Sequence, residues 1–145
     1  MSEGDSCDIT AKNSCCCSAP TPENVDYKAH WDATYSNSPN EKLGWYETDL
    51  SPTLKLVEKS GVSKTASIIN IGAGSTMLID ELLNIGYENL IATDLSAVSL
   101  GSLENRIGSG KVEMIVDDLT EPTTLKNIPE VDLWIDRAVL HFFTE

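Results

Sequence analysis

An α/β fold built on a Rossmann-like, doubly wound, mostly parallel sheet is predicted by three observations. Short apolar runs alternate with helical patterns along the chain, a glycine turn follows the first run, and polar residues recur where each run ends. The stretch from Ser67 to Asp94, SIINIGAGSTMLIDELLNIGYENLIATD, holds all three. Its order of strand, turn, helix and second strand implies a right-handed crossover between parallel neighbours.

Residues 1 to about 23 combine Ser, Asn, Glu, Cys and Pro with few large apolar groups and read as a mobile arm. A single domain is expected over residues 24–145. Val25, Ala29, Trp31, Asp32 and Tyr35 suggest an aromatic-bearing helix that breaks at Ser38-Pro39. The segment from Leu43 to Glu47 reads as a loop rich in aromatics. Ser51-Pro52 then marks a cap and first residue of another helix, closed before Gly61, with Leu54, Leu56 and Val57 as its buried stripe.

Ile68, Ile69 and Ile71 form an apolar β-branched run of the kind buried on both faces of a parallel sheet. Gly72 and Gly74 stop it. A helix is expected from a cap at Ser75 or Thr76 through Met77, Leu78, Leu82 and Leu83 to Gly86. Leu90 to Thr93 is the second strand. Ser96 caps the next helix, which carries Val98, Leu100, Leu103 and Ile107 and closes at Gly108 and Gly110. A third strand spans Lys111 to Val116 and a fourth Val131 to Ile135, after which Ala138 to Phe143 begins a helix in which His141 packs beside the core.

The ends of these strands carry the chemistry: Asn70 with Gly72 and Gly74, then Asp94, then Asp118, then Asp136 with Arg137. In open α/β sheets ligands bind at that edge. Missing β-carbons at Gly72 and Gly74 let a ligand lie against the backbone. Asp94 follows Gly72 at close to the ~20 residues that bring an acid to ribose hydroxyls in nucleotide-binding βαβ units. Met77 replaces the third glycine of a dinucleotide motif, the turn contains no Lys or Arg, and no phosphate-binding G-x-x-x-x-G-K-[ST] loop occurs in the chain. The turn therefore suits a nucleoside without phosphates, and S-adenosylmethionine fits that description. Asp117 and Asp118 either serve the adenine amino group or simply terminate a strand.

A formal charge of −13, with 10 basic residues scattered along 145, argues against a general nucleic-acid surface. No apolar run approaches the ~20 residues of a membrane span, and the polar opening segment lacks a secretory apolar core, so no membrane association and a cytoplasmic location are expected. Cys7, Cys15, Cys16 and Cys17 do not match structural zinc spacing. Capture of a soft metal or metalloid by these thiols competes with a reduced arm without ligand, and no metal site is assigned.

The turn from Asn70 to Leu78 resembles the G-x-G-[NS]-[ST]-x-L variant of class I S-adenosylmethionine-dependent methyltransferases that modify protein lysines. Trp31-Asp32-Ala-Thr-Tyr35 and Gly44-Trp45-Tyr46 are similar to the W-D-x-x-Y helix and aromatic loop of that group. The resemblance implies that Trp31, Tyr35 and Trp45 line the cofactor pocket, with Gly72 at the methionine tail. It further implies Asp94 at the ribose, Asp118 and Leu119 beside the adenine, and Arg137 at the mouth, with Leu95 also among the cofactor-binding residues. Asn70 departs from the acid that usually opens this turn. The family's sheet has seven strands and this chain stops after about four, so an incomplete C-terminus is expected.

Methyl transfer from a sulfonium needs alignment more than acid-base help. Asp136 is the candidate to orient or deprotonate an amine acceptor, which the resemblance makes a protein lysine or a small molecule; its competing role is a strand-end cap. The alternative to an enzyme is a non-catalytic cofactor-binding or interaction fragment.

Overall fold

In the computed structural model, which describes residues 25–143, four strands form one sheet. They are β1 (Ser67–Ile71), β2 (Asn89–Asp94), β3 (Glu113–Val116) and β4 (Leu133–Asp136), all parallel, in the order β3-β2-β1-β4. The arm expected over residues 1–23, with its four cysteines, lies outside the described residues. Strand order reverses beside β1, so a crevice opens between the carboxyl ends of β1 and β4.

The unalternating isoleucine run does what its pattern requires. Ile68, Ile69 and Ile71 are each at most 1% exposed, and they divide between two apolar layers. On one face Ile68, Leu90 and Ala92 meet Leu78, Ile79 and Leu82 of α3 (Leu78–Asn84) and Leu100 and Leu103 of α4 (Ala97–Ile107). On the other, Ile69, Ile71, Ile91 and Ile115 are covered by Leu119, Leu125, Ile128, Val131 and Val139 from the connection into β4 and the segment after it. Burial of each such side chain contributes about 1.5–3 kcal/mol.

Local signals set most boundaries. Ser96 Oγ accepts the Ser99 N–H at 3.2 Å and caps α4, as the sequence predicts. Gly61 takes φ +72° and closes α2 (Ser51–Ser60). Asp26 caps α1 (Tyr27–Asn37) by accepting the Ala29 N–H. Asp132 accepts the Ser67 N–H at 2.8 Å and ties the entry of β4 to the start of β1.

Four expectations are corrected. First, α3 starts at Leu78 without a side-chain cap, because Ala73 and Gly74 are hydrogen-bonded to β2 and its end, which prolongs the turn; Thr76 Oγ1 donates instead to the Ala73 carbonyl. Asp80 and Glu81 in its first turn favour the helix dipole in place of a cap. Second, Leu56 is 67% exposed, since Val57 and Leu54 take the inward face of α2 and leave Leu56 beside Trp134 of β4. Third, the segment after β4 forms only a 3-10 turn, Leu140–Phe143. Fourth, His141 in that turn is exposed and stacks on Phe142 with ring centroids 4.0 Å apart, outside the core.

Candidate cofactor site

The turn after β1 is held open by its backbone. Gly72 and Gly74 adopt φ +58° and +48°, in the left-handed region that a side chain disfavours. A β-carbon on Gly72 would run into the Val139 side chain, and one on Gly74 would stand 2.6 Å from the Tyr35 hydroxyl and 3.6 Å from Asp94 Oδ2. The left-handed backbone favours glycine at both positions, and a β-carbon at either would need the Val139 or Tyr35 side chain to shift. The Ala73 N–H donates to the Thr93 carbonyl at 2.9 Å, which fixes the turn to β2.

Asp94 is the polar centre of this arrangement. Its Oδ2 accepts the Gly74 N–H and its Oδ1 the Ser96 N–H, each at 2.9 Å, so one carboxylate joins the glycine turn to the start of α4. The group is only 9% exposed. Burial pushes its carboxyl above the ordinary range, against the opposing pull of the Ser96 and Gly74 amides. A carboxylate oxygen that accepts one amide retains a lone pair for a ribose hydroxyl. Leu95, half-buried, follows directly.

Aromatic rings wall the turn. In α1, Trp31 and Tyr35 lie 6.2 Å apart by ring centroid, and Trp45 from the following loop meets Trp31 edge-on at 5.2 Å and Tyr35 at 6.2 Å. Burial, and then the charge of Asp94, push the Tyr35 phenol well above its ordinary range, so it stays a neutral hydroxyl at Gly74. α1 itself buries no residue fully; it is docked by Asp32, whose Oδ1 accepts the Ser96 hydroxyl at 2.6 Å and the Val98 N–H at 3.4 Å. The Lys28 ammonium at 2.8 Å and then Ser96 hold the Asp32 carboxyl below its usual range. The W-D-x-x-Y spacing thus puts a docking acid and two wall rings on one helix.

The fourth strand brings a second set of groups. Arg137 pairs with Glu47 at 2.6 Å and links the aromatic loop to the segment after β4. Between them lies a cavity of about 440 Å³, lined by Trp45, Tyr46, Glu47, Arg137, Ala138 and Phe142 among others. That volume falls within the ~300–1,000 Å³ of small-molecule sites. Phe142 also packs edge-on against Trp31 at 5.5 Å. Ala138 takes φ +60°, a strained backbone for a non-glycine residue. Asp136 Oδ1 accepts the N–H groups of Val139 at 3.2 Å and Leu140 at 3.4 Å.

Among the described residues, three buried side-chain oxygens have no hydrogen-bond partner: Glu47 Oε2, Ser75 Oγ and Asp136 Oδ2. All three belong to segments that meet at the carboxyl edge of the sheet. Asn70 is buried in β1 beside Ala92 and Ile135, on the layer opposite the crevice-side isoleucines.

The end of β3 behaves differently. Asp117 accepts the N–H groups of Thr123, Thr124 and Leu125, which hold its carboxyl far below the usual range, the Leu125 amide most strongly. It is engaged in building that loop. Asp118 accepts the Thr120 N–H and hydroxyl on Oδ1, and Leu119 packs on the isoleucine layer. Asp117 also donates its N–H to the Asp94 carbonyl at 3.2 Å, which sets this strand end beside that of β2.

Sequence reasoning placed Trp31, Tyr35, Trp45, Gly72, Gly74 and Asp94 together, and they meet here. It assigned no site role to Glu47, Val139 or Phe142, and Ser75 only that of a helix cap and motif residue. The acid directly after Trp45-Tyr46 and the apolar run after Arg137 were the available signals. The residues present fit S-adenosylmethionine: a left-handed glycine turn approached by the movable side chains of Val139 and Tyr35, a buried carboxylate for a diol, aromatic walls, and no cation in the turn to serve a phosphate.

No protein-family model matches the chain. It is 26% identical over 128 residues to EEF1A lysine methyltransferase 2 of Danio rerio, covering 81% of this chain and 54% of that protein. The Homo sapiens protein of the same name is 24% identical over 114 residues, 71% of this chain and 48% of its own length. The chain thus spans about half the length of the curated relatives it matches. Among solved structures, the Pyrococcus horikoshii protein PH1948, described as a proposed RNA methyltransferase, superposes with a TM-score of 0.52 at 20% identity, covering 77% of this chain and 58% of that one. No helix among the described residues is long and apolar enough to cross a membrane. The chain has the Rossmann-like fold of the class I S-adenosylmethionine-dependent methyltransferases and resembles, in sequence, the protein-lysine methyltransferases among them.

Proposed function

We propose that residues 24–145 are the cofactor-binding part of an S-adenosylmethionine-dependent methyltransferase that methylates an amine, with a protein lysine as the leading acceptor, a small molecule as the other, and the cytoplasm as its compartment. The observation that carries this reading is the buried Asp94 carboxylate bridging Gly74 and Ser96 at a left-handed glycine turn. The relatives' names, lysine methyltransferases, support the choice of acceptor.

In this reading Asp94 accepts the ribose hydroxyls beside Leu95, the backbone at Gly72 and Gly74 receives the methionine end, and Asp118 and Leu119 flank the adenine. Trp31, Tyr35 and Trp45 exclude water from that compartment. Arg137 stands at the mouth with Glu47. The cofactor supplies the electrophilic methyl group. When bound, it would give that methyl to the amine nitrogen, the carbon–sulfur electron pair staying with sulfur and the nitrogen's surplus proton leaving to water. Alignment carries most of the rate, and no general base is required. Calorimetry of the 145-residue chain with S-adenosylmethionine and S-adenosylhomocysteine tests this. Binding of both is expected, and a folded chain that binds neither would overturn the proposal.

A further inference from the structure

The glycine turn raises a charge problem that the motif does not solve. The methionine end of the cofactor carries an ammonium close to the positive sulfonium, and the turn itself, Asn70 to Thr76, offers no carboxylate to meet it. Asp94 is engaged on both oxygens by backbone amides, and Glu47, although its Oε2 is also unpartnered among the described residues, already has the Arg137 guanidinium as its counter-ion. Asp136 remains. In the parallel register it lies beside Ile71, the residue directly before Gly72. Its Oδ1 anchors the N–H of Val139, whose side chain rests on Gly72, while Oδ2 is buried with no partner among the described residues. An acceptor left buried and unpaired is costly, and a donor brought by a ligand removes that cost.

We infer that Asp136, through its unpaired Oδ2 at the β1–β4 crevice, is the counter-ion of the cofactor's α-ammonium. The inference rests on the methyltransferase reading above and assigns Asp136 to cofactor binding rather than to the acceptor. It also links two events. A methionine tail laid over Gly72 displaces the Val139 side chain, and the residue receiving the tail is the one that anchors Val139.

The test compares two ligands by calorimetry: S-adenosylhomocysteine and its deaminated analogue, in which hydrogen replaces the α-ammonium. The wild-type chain should bind the first about 10–100-fold more tightly, the range for a hydrogen bond to a charged group. D136N retains an oxygen able to accept the Val139 and Leu140 amides. It should lose that preference, weakening S-adenosylhomocysteine about tenfold or more while moving the analogue less than twofold. Equal wild-type affinity for the two ligands would overturn the inference, independently of any variant. So would a D136N loss of equal size for both. A wild-type chain that binds neither ligand removes the methyltransferase reading itself, a result distinct from loss of the preference alone.

Discussion

The two sides of the crevice are built in opposite ways. At β1 and β2 the site is made of backbone: the glycine turn is hydrogen-bonded to Thr93 and Asp94, and the isoleucines beneath it are sealed on both faces. After β4 it is made of side chains on a less covered segment, where Leu140, Phe142 and Phe143 are 55%, 56% and 47% exposed and one ion pair joins Arg137 to Glu47. A backbone cradle cannot adjust without unfolding the strand that carries it. A side-chain covering can shift by rotamer changes at small cost. The first suits a constant ligand part such as a nucleoside, and the second suits entry, exit and a variable acceptor.

Substitutions should separate these regions. The largest effect on stability is expected at Ile69: I69A should cost about 2–5 kcal/mol in denaturant unfolding, the range for emptying a sealed core position. A loss under 1 kcal/mol would show that the two-faced burial of β1 is overstated. For binding, D94N should weaken S-adenosylhomocysteine about 10–100-fold by calorimetry, because a charged acceptor for the diol is lost. G74A follows, with a left-handed backbone penalty of about 1–2 kcal/mol and a clash with the Tyr35 hydroxyl. It should lower both stability and affinity, whereas Y35F,G74A should recover part of the affinity.

The pH dependence has a defined sign. Burial raises the Asp94 carboxyl above its ordinary value of 3.8, and the ionised form is the one that accepts both ribose hydroxyls. Affinity for S-adenosylhomocysteine should therefore fall as pH is lowered through that raised value, and D94N should flatten the profile. The smallest effect belongs to the other region. E47Q breaks a half-exposed ion pair of the kind that contributes about 0–1 kcal/mol, so it should leave the melting temperature nearly unchanged. A large drop in stability from E47Q would erase the contrast between the two sides.

The same contrast explains what was legible in the sequence. β1, β2, α4 and the Gly72–Asp94 spacing could be read because each rests on local rules: β-branched runs, glycines at positive φ, and a serine cap. The start of α3 could not, because Ala73 and Gly74 are bound to Thr93 and Asp94, a long-range tie that no cap residue announces. Asp117 and Asp118 were indistinguishable in sequence, since only the folded loop shows that three consecutive amides converge on Asp117. Leu56 and His141 carried apolar or ambiguous signals whose sidedness depends on how the segments beside β4 are packed. Glu47 and Phe142 entered the site through partners far away in the chain, Arg137 and Trp31.

The central claim is that a phosphate-free nucleoside is gripped between the glycine turn and Asp94. Amide chemical shifts of the ¹⁵N-labelled chain, followed while S-adenosylhomocysteine is titrated, address it at the atoms concerned. The largest shifts should fall on Gly72, Gly74 and Ser96, the amides that form the cradle or share the Asp94 carboxylate. Saturable binding that leaves those three unmoved, with changes confined to residues 43–47 and 137–143, would contradict it.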